Sequence, residues 1–194
     1  MTVATDDRLT SLRRVVGVHA EAVELHEPFV EVVRRFAHRP GTVALLSGGK
    51  IVQYDTPQAI YDLPADRFVA DFIGSGALIP CRIEAITQDF YTVRLPDDQR
   101  IALRLNYTGR VDERIVIAVR PEAITLLGST APDSTRALMG RVENPSYLGA
   151  RYECDFRFGE TTLRIETGLA VAGVRSDLVC AELADIRYAA FPST

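Results

Sequence analysis

Lysine and tryptophan are almost missing from this sequence. Of the 22 basic residues only Lys50 is a lysine, and tryptophan is absent. Arginine stays protonated, so chemistry that needs a neutral amine would have to use Lys50. A phosphate-binding loop requires Gly-Lys followed by Ser or Thr, but Ile51 follows Lys50. The 194 residues therefore contain no such loop, and we expect no nucleotide-binding residue.

Cysteine and histidine are also scarce. Cys81, Cys154 and Cys180 lie far apart and show no C-x-x-C spacing. Two of them fall inside apolar, strand-like runs, a pattern typical of buried free thiols. The three histidines all lie in the first 40 residues, without the i, i+4 partner of a helical metal site. No serine-hydrolase or zinc-protease motif occurs. We expect no metal, no cofactor and no catalytic residue.

The chain has no excess of basic over acidic residues, and it has no long apolar runs. With 22 basic and 26 acidic residues, its net charge is −4, which disfavours nucleic-acid binding through phosphate neutralisation. Runs such as Ile115–Val119 are far shorter than the roughly 20 residues that span a bilayer. The first seven residues have neither the basic start nor the apolar core of a secretory signal. We expect a cytoplasmic protein that reaches a membrane only by docking on a membrane protein.

Helical and strand-like patterns mix in residues 1–76. An apolar stripe at positions i, i+3, i+4 and i+7 predicts a helix between Pro28 and Arg39: Phe29, Val32, Val33 and Phe36. Residues 42–46 and 50–54 read as the two strands of a hairpin. Thr56 or Asp55 can cap a helix that has Pro57 in its first turn. A second helix is predicted over residues 65–73, and Gly74-Ser75-Gly76 reads as a boundary.

From residue 78 onward the hydrophobic period changes from 3.6 to 2. Alternating patterns predict strands over residues 81–86, 90–95, 100–105, 114–119, 138–142, 151–158, 161–166, 177–183 and 187–191. Pro96-Asp97-Asp98 and Gly159-Glu160 predict turns between neighbouring strands. Short strands at this spacing indicate a small Greek-key barrel or sandwich.

Several separated motifs, in order, carry a resemblance to one family. The run Gly49-Lys50-Ile51-Val52-Gln53-Tyr54-Asp55-Thr56-Pro57 resembles the end of the ATP-binding cassette in ABC importer ATPases, and residues 64–80 continue the match. Arg120-Pro121-Glu122 resembles the R-P-E segment of their C-terminal TOBE domains. Gly140-Arg141-Val142 and Tyr147-Leu148-Gly149 resemble the second half of that domain. The iron(III), spermidine/putrescine and sulfate branch is the nearest in pattern. Asp55 stands where the family usually has glycine, which predicts a left-handed backbone there.

The resemblance implies a mainly β protein, an OB-like TOBE barrel after a short α/β N-terminal segment. It implies three regions: an N-terminal segment of helix plus strand over residues 1–42, the cassette-tail hairpin and linker helices over 43–76, and the TOBE domain over 77–194. The phosphate loop, the signature helix and the other ATPase motifs would precede residue 43 in the family. We interpret residues 1–42 as a remnant or replacement of that core.

In the family this tail domain performs no chemistry. The resemblance therefore implies a non-catalytic regulatory and dimerisation module of an import ATPase, acting as a homodimer with ABC ATPase or permease subunits as partners. It also names six residues for ligand or partner contacts: Arg120, Glu122, Arg141, Tyr147, Gly149 and Arg151. Gly149 is expected to take a positive φ in a tight turn. For Arg120 and Glu122, the alternative is a structural corner in which Pro121 ends a strand.

Two other functions stay open at this stage. One is a stand-alone barrel that binds a small anion such as molybdate or sulfate, using backbone N–H groups with Arg120, Arg141 or Arg151. The other is an OB-fold that binds nucleic acid, which needs a basic groove with aromatic platforms. The acidic balance and the absence of tryptophan disfavour the second of these.

Overall fold

The computed structural model describes residues 41–47, 50–73, 76–128, 134–149, 151–168 and 178–193. The helix predicted over residues 28–39 and all three histidines lie outside these ranges. The chain divides into two compact units, with the division between Ile73 and Gly74. No helix among the described residues is long and apolar enough to cross a membrane.

The described part of the first unit, from Gly41 to Ile73, contains a β-hairpin and two short helices. Strands β1 (Val43–Ser47) and β2 (Lys50–Asp55) pair antiparallel, and helices α1 (Pro57–Asp62) and α2 (Arg67–Phe72) follow. The predicted cap of α1 is confirmed, because Thr56 Oγ1 accepts a hydrogen bond from the Ala59 N–H at 3.2 Å. Asp66 caps α2 through the Val69 N–H at 2.8 Å. Four buried side chains form what we call the small core: Leu45, Ile60, Val69 and Ile73.

Gln53 joins the hairpin to the turn between the two helices. Its Nε2 donates to the Leu63 carbonyl at 3.0 Å, and its Oε1 accepts from the Ala65 N–H at 2.8 Å. One side-chain amide thereby satisfies two backbone groups of the turn between α1 and α2. The glutamine of the cassette-tail pattern thus has a structural role in this unit.

The second unit begins with a closed five-stranded barrel. Its strands β3 (Ala77–Ile86), β4 (Tyr91–Arg94), β5 (Arg100–Asn106) and β6 (Arg114–Val119) are joined by a strand from the far end of the chain, β12 (Arg187–Pro192). The order around the barrel is β12-β5-β4-β3-β6. β12 pairs parallel to β5 and antiparallel to β6, so it closes the cylinder.

The strands between β6 and β12 in the sequence form a second sheet. A 3-10 turn (Pro121–Ala123) leads into β7 (Ile124–Gly128), β8 (Ala137–Tyr147), β9 (Tyr152–Phe158), β10 (Thr161–Thr167) and β11 (Leu178–Leu183), in the order β10-β9-β8-β11-β7. In β10 alternate residues are buried, as Leu163 and Ile165 show. Buried side chains from the barrel and from this sheet form one continuous hydrophobic core.

Two strands are longer than the sequence predicted, and each contains a proline. β3 begins at Ala77, four residues before its predicted start, and Pro80 lies where β6 is the sole neighbour, because pairing with β4 begins at Arg82. β8 runs past its predicted end at Val142 through an irregularity that holds Asn144, with φ of 50°, and Pro145. The left-handed backbone predicted at Asp55 is wrong, since Asp55 ends β2 in extended conformation.

Candidate functional site

Three of the six predicted contact residues lie in the turn between β8 and β9. The Leu148 N–H donates to the Arg151 carbonyl at 2.8 Å, which closes the turn. Gly149 has φ of 90°, so the positive φ predicted for it is confirmed. Tyr147 is 66% exposed and Leu148 is 56% exposed, which leaves a large aromatic and an aliphatic side chain at the tip of the hairpin. We call residues 147–152 the hairpin tip.

Neighbouring side chains brace the hairpin tip. Tyr147 lies directly opposite Tyr152 across the strands, and their ring centroids are 5.0 Å apart with 49° between the planes. Arg151 forms an ion pair with Glu166 of β10. Because Arg151 and Glu166 are both well exposed, this pair contributes about 0–1 kcal/mol. Its main effect is to hold the Arg151 guanidinium beside the edge strand β10.

Arg141 lies on the outward face of the same sheet. It is exposed and sits directly opposite Arg157 of β9, whose guanidinium lies 3.8 Å from Glu143. In the next row Arg164 lies 3.6 Å from both Glu153 and Asp155. The outward face therefore alternates basic and acidic side chains that are exposed or half-buried.

Arg120 and Glu122 flank Pro121 on a different segment, between β6 and β7. Arg120 is half-buried, and a Cβ on Gly76 would come within 2.9 Å of Arg120 Cδ, so its side chain lies over that glycine. Glu122 is exposed in the first turn of the 3-10 turn. This turn lies against β10, the strand that also carries Glu166. The six residues therefore do not form one cluster, and none of the seven residues of β10 was predicted as a contact.

Sequence reasoning missed three residues of the hairpin tip region: Leu148, Tyr152 and Glu166. The strand register identifies two of them. Tyr152 lies beside Tyr147, and Glu166 lies beside Arg151, only when β8, β9 and β10 pair in the observed alignment. The tip contains no buried titratable group. It brings an aromatic, an aliphatic and an ion-paired side chain together at one exposed turn.

The three cysteines are buried and free, as the sequence predicted. Burial raises the pKa of the Cys81 thiol to about 12 and that of the Cys154 thiol to about 11, and it also raises the pKa of Cys180. Thiols held protonated in this way are poor nucleophiles and poor metal ligands. Within the described ranges, no cluster of three or more His, Cys, Asp or Glu residues is arranged to hold a metal ion.

A comparison with solved structures identifies the class of fold. The cytoplasmic molybdate-binding protein ModG, solved with molybdate bound, superposes with a TM-score of 0.52 at 12% identity, over 60% of this chain and 96% of that one. This likeness concerns the fold alone. It confirms the predicted fold class, a mainly β protein with a TOBE-type arrangement of strands.

The sequence comparisons find similarity to ATP-binding proteins of import systems. The spermidine/putrescine import ATP-binding protein PotA of Pseudomonas fluorescens is 32% identical over 120 residues, which cover 62% of this chain and 32% of the relative. The Fe(3+) ions import ATP-binding protein FbpC of Rhizobium etli is 32% identical over 124 residues, 63% of this chain and 33% of the relative. No protein-family model matches the chain.

The chain spans about a third of the length of the curated relatives it matches. The similarity falls on the C-terminal, non-ATPase part of those proteins. The predicted resemblance is therefore confirmed: the chain is homologous to the C-terminal region of ABC import ATP-binding proteins of the polyamine and iron(III) type.

Proposed function

We propose that this chain is a non-catalytic regulatory and dimerisation module of an ABC import ATPase, in a system that carries a small solute such as iron(III), a polyamine or an oxyanion. The similarity to polyamine and iron(III) import ATP-binding proteins over more than 60% of the chain supports this proposal. In this proposal residues 77–194 are the TOBE domain, residues 43–76 are the cassette tail, and residues 1–42 are an N-terminal segment of uncertain origin.

The hairpin tip is the contact surface that we assign to an ABC partner subunit. Tyrosine and arginine side chains are enriched in protein–protein hot spots, and the hairpin tip presents Tyr147 and Arg151 beside the exposed Leu148. Arg120, Glu122, Arg141 and Gly149 remain further contact candidates. Through such a subunit the chain would sit at the inner face of the cell membrane without entering it.

The decisive experiment is a pulldown. The full chain, tagged, is offered an ABC import ATPase and its permease purified from the same source. Capture of either subunit supports the proposal, and capture of neither subunit at micromolar concentration contradicts it.

The purified chain is also expected to show no ATP hydrolysis. ATP turnover that is lost in the Lys50→Ala variant would overturn the non-catalytic assignment.

Homodimer formation is the second part of this proposal. The second sheet has β10 and β7 at its two ends, and strand edges are commonly covered by a second subunit. Light scattering is expected to give twice the chain mass of 21.4 kDa. A monomer at micromolar concentration would contradict the homodimer. The regulatory role is tested separately, by the pulldown.

A small-anion barrel is the alternative function. It is favoured by the fold shared with ModG, whose printed description includes bound molybdate. Arg120, Arg141 and Arg151 would then supply the positive charge. Calorimetric titration with molybdate, sulfate and phosphate separates the two functions. A saturable heat of binding with one of these anions, together with weaker binding by the Arg141→Ala variant, would support the anion-binding function over the regulatory one.

A further inference from the structure

Four arginines lie in one row across the barrel. Each is directly opposite the next on a neighbouring strand: Arg100 pairs with Arg94, Arg94 with Arg82, and Arg82 with Arg114. The four strands are consecutive around the barrel, in the order β5-β4-β3-β6. Directly opposite residues share one face of a sheet and strands lie about 4.8 Å apart, so the four side chains span about 14 Å. We call these four residues the arginine row.

The arginine row points away from the hydrophobic core. The side chains of Arg82 and Arg94 are each 43% exposed, that of Arg100 is 58% exposed, and Arg114 is exposed as well. Their neighbours along the strands are buried: Cys81, Val93, Ile101 and Ile115. Like charges directly opposite each other on paired strands destabilise a sheet. An external anion that neutralises the row would therefore stabilise the barrel.

One carboxylate is held within the arginine row. Glu84 lies on β3, two residues after Arg82, and accepts a hydrogen bond from Arg100 Nε at 2.6 Å. Its other carboxylate oxygen is 3.9 Å from Arg94 Nε, and only 27% of its side chain is exposed. Glu84 therefore neutralises part of the charge of two arginines and competes with any external anion.

Two further carboxylates contact the row but are largely exposed. Asp98 accepts a hydrogen bond from Arg94 Nε at 2.7 Å, and its side chain is 71% exposed. Asp112 lies 3.7 Å from Arg82, and its side chain is 81% exposed. Ion pairs this exposed contribute little to stability, so they open easily. Arg114 has no ion-pair partner among the residues that the structure describes, which leaves the row with one positive charge more than its three carboxylates.

The competing carboxylates favour phosphate groups as the external anion. Exchange of one carboxylate for another leaves the number of ion pairs unchanged, so a carboxylate ligand gains little. A terminal phosphate group carries about two negative charges and three acceptor oxygens, and arginine binds it through two parallel hydrogen bonds. Several closely spaced phosphate groups therefore match several arginines in a line better than an acidic peptide does.

We propose that the arginine row binds a soluble oligophosphate, an anion with two or more closely spaced phosphate groups, across the outer face of the barrel. Arg114 supplies the unpaired guanidinium. Arg94 and Arg82 turn from the exposed Asp98 and Asp112 toward the phosphate oxygens. A soluble ligand is favoured over a phosphorylated lipid because the net charge of −4 opposes the approach of the chain to an anionic membrane. The site does not depend on the transport-related function and uses none of the residues assigned to it.

Calorimetric titration of the full chain with tripolyphosphate at low ionic strength tests this site. We expect saturable binding that weakens as salt is added, because salt screens exposed charges. The Arg114→Gln variant should bind about tenfold more weakly. Arg187→Gln should bind as wild type does, since Arg187 is also the exposed first residue of a barrel strand but lies five residues from Pro192, the partner of Ile115. Absence of saturable binding, or equal losses in the two variants, would overturn the proposal.

Removal of the held carboxylate gives a test that loss of structure cannot imitate. Glu84→Gln should strengthen tripolyphosphate binding, because it removes the competing charge beside Arg94 and Arg100. Glu143→Gln removes an ion-paired carboxylate from the second sheet and should leave the affinity unchanged. Unchanged or weaker binding by the Glu84→Gln variant would contradict the proposal.

Vesicles distinguish a soluble ligand from a lipid headgroup. The chain is sedimented with phosphatidylcholine vesicles that contain or lack phosphatidylinositol bisphosphate. We expect no sedimentation with either vesicle under conditions in which tripolyphosphate binds. Sedimentation with the bisphosphate vesicles, together with no binding of tripolyphosphate, would assign the arginine row to a membrane and overturn the proposal of a soluble ligand.

Discussion

Gln99 and Met139 form two hydrogen bonds between the barrel and the second sheet, which contains β8. The Met139 N–H donates to Gln99 Oε1 at 2.7 Å, and Gln99 Nε2 donates to the Met139 carbonyl at 2.8 Å. The same Nε2 donates to Asp97 at 2.6 Å. β9 pairs with β8 only from Arg141 onward, so at Met139 the side-chain amide satisfies backbone groups that β9 does not reach.

Gln99→Glu is expected to lower the free energy of unfolding by about 1–3 kcal/mol, because it removes the donor and leaves a carboxylate facing the Met139 carbonyl and Asp97. Urea unfolding followed by circular dichroism measures this change. The matched control is Gln88→Glu, the same substitution at an exposed position of the β3–β4 turn, which should stay within about 0.5 kcal/mol. Equal effects in both variants would show that Gln99 does not join the two sheets.

Gly140→Ala is expected to destabilise the second unit. A Cβ at this buried position of β8 would lie 2.5 Å from the Arg157 carbonyl oxygen and 2.6 Å from Phe156 Cζ, so the two strands must separate. Overpacking of this kind costs about 1–3 kcal/mol. Gly168→Ala serves as control, because nothing lies within 4 Å of its added Cβ. Thermal melting of both variants would reveal the difference, and a wild-type Tm for Gly140→Ala would contradict the packing described.

Stability is expected to fall in acid partly through Glu113. Its carboxylate accepts hydrogen bonds from the Tyr107 hydroxyl at 2.6 Å and from the Arg110 N–H at 2.8 Å, and these lower its pKa in the folded state. A lowered folded-state pKa gives stability that is present above the ordinary glutamate pKa and is lost as the pH falls through the folded value. Urea midpoints between pH 7 and pH 3 should therefore fall less steeply for Glu113→Gln than for wild type. The control Glu160→Gln, in the exposed β9–β10 turn, should follow wild type.

The native thiols are expected to resist labelling. At pH 8 a disulfide reagent such as DTNB should react slowly with the folded chain and rapidly with all three cysteines in urea, because burial keeps the thiols protonated. Absorbance of the released thiolate gives both rates. A stoichiometric fast phase in the absence of urea would show that one of these cysteines is accessible.

Replacing the exposed side chains of the hairpin tip is expected to affect binding and leave folding intact. Tyr147→Ala with Leu148→Ser should abolish capture of the ABC partner subunit, while the unfolding midpoint moves little because both side chains are largely exposed. A control pair on the same unit, Val111→Ser with Ile86→Ser, removes similarly exposed apolar side chains elsewhere. Undiminished capture by the hairpin-tip variant would remove this surface from the proposed function.

Local patterns in the sequence predicted most of the elements. In β5 the inward residues Ile101, Leu103 and Leu105 alternate with less buried neighbours, which is the period-two pattern of a strand with one face in the core. Asp98 in the turn after β4 has φ of 68°, a conformation that the short aspartate side chain tolerates. The extensions of β3 and β8 across Pro80 and Pro145 were missed. A proline inside a strand is allowed only where neighbouring pairing is absent or irregular, which a single sequence does not reveal.

The sequence by itself determined the kind of protein: the periods of its hydrophobic residues, its turn residues and its ordered motifs set a mainly β fold of the TOBE type. Only the tertiary structure decided that β12 pairs with β5 and β6 and so closes the barrel. The same is true of the hydrogen bonds between Gln99 and Met139, which lie forty residues apart in the chain. The reason is physical. Secondary structure follows from contacts within a few residues, whereas strand partners and side-chain bonds across sheets depend on which distant surfaces pack together to exclude water.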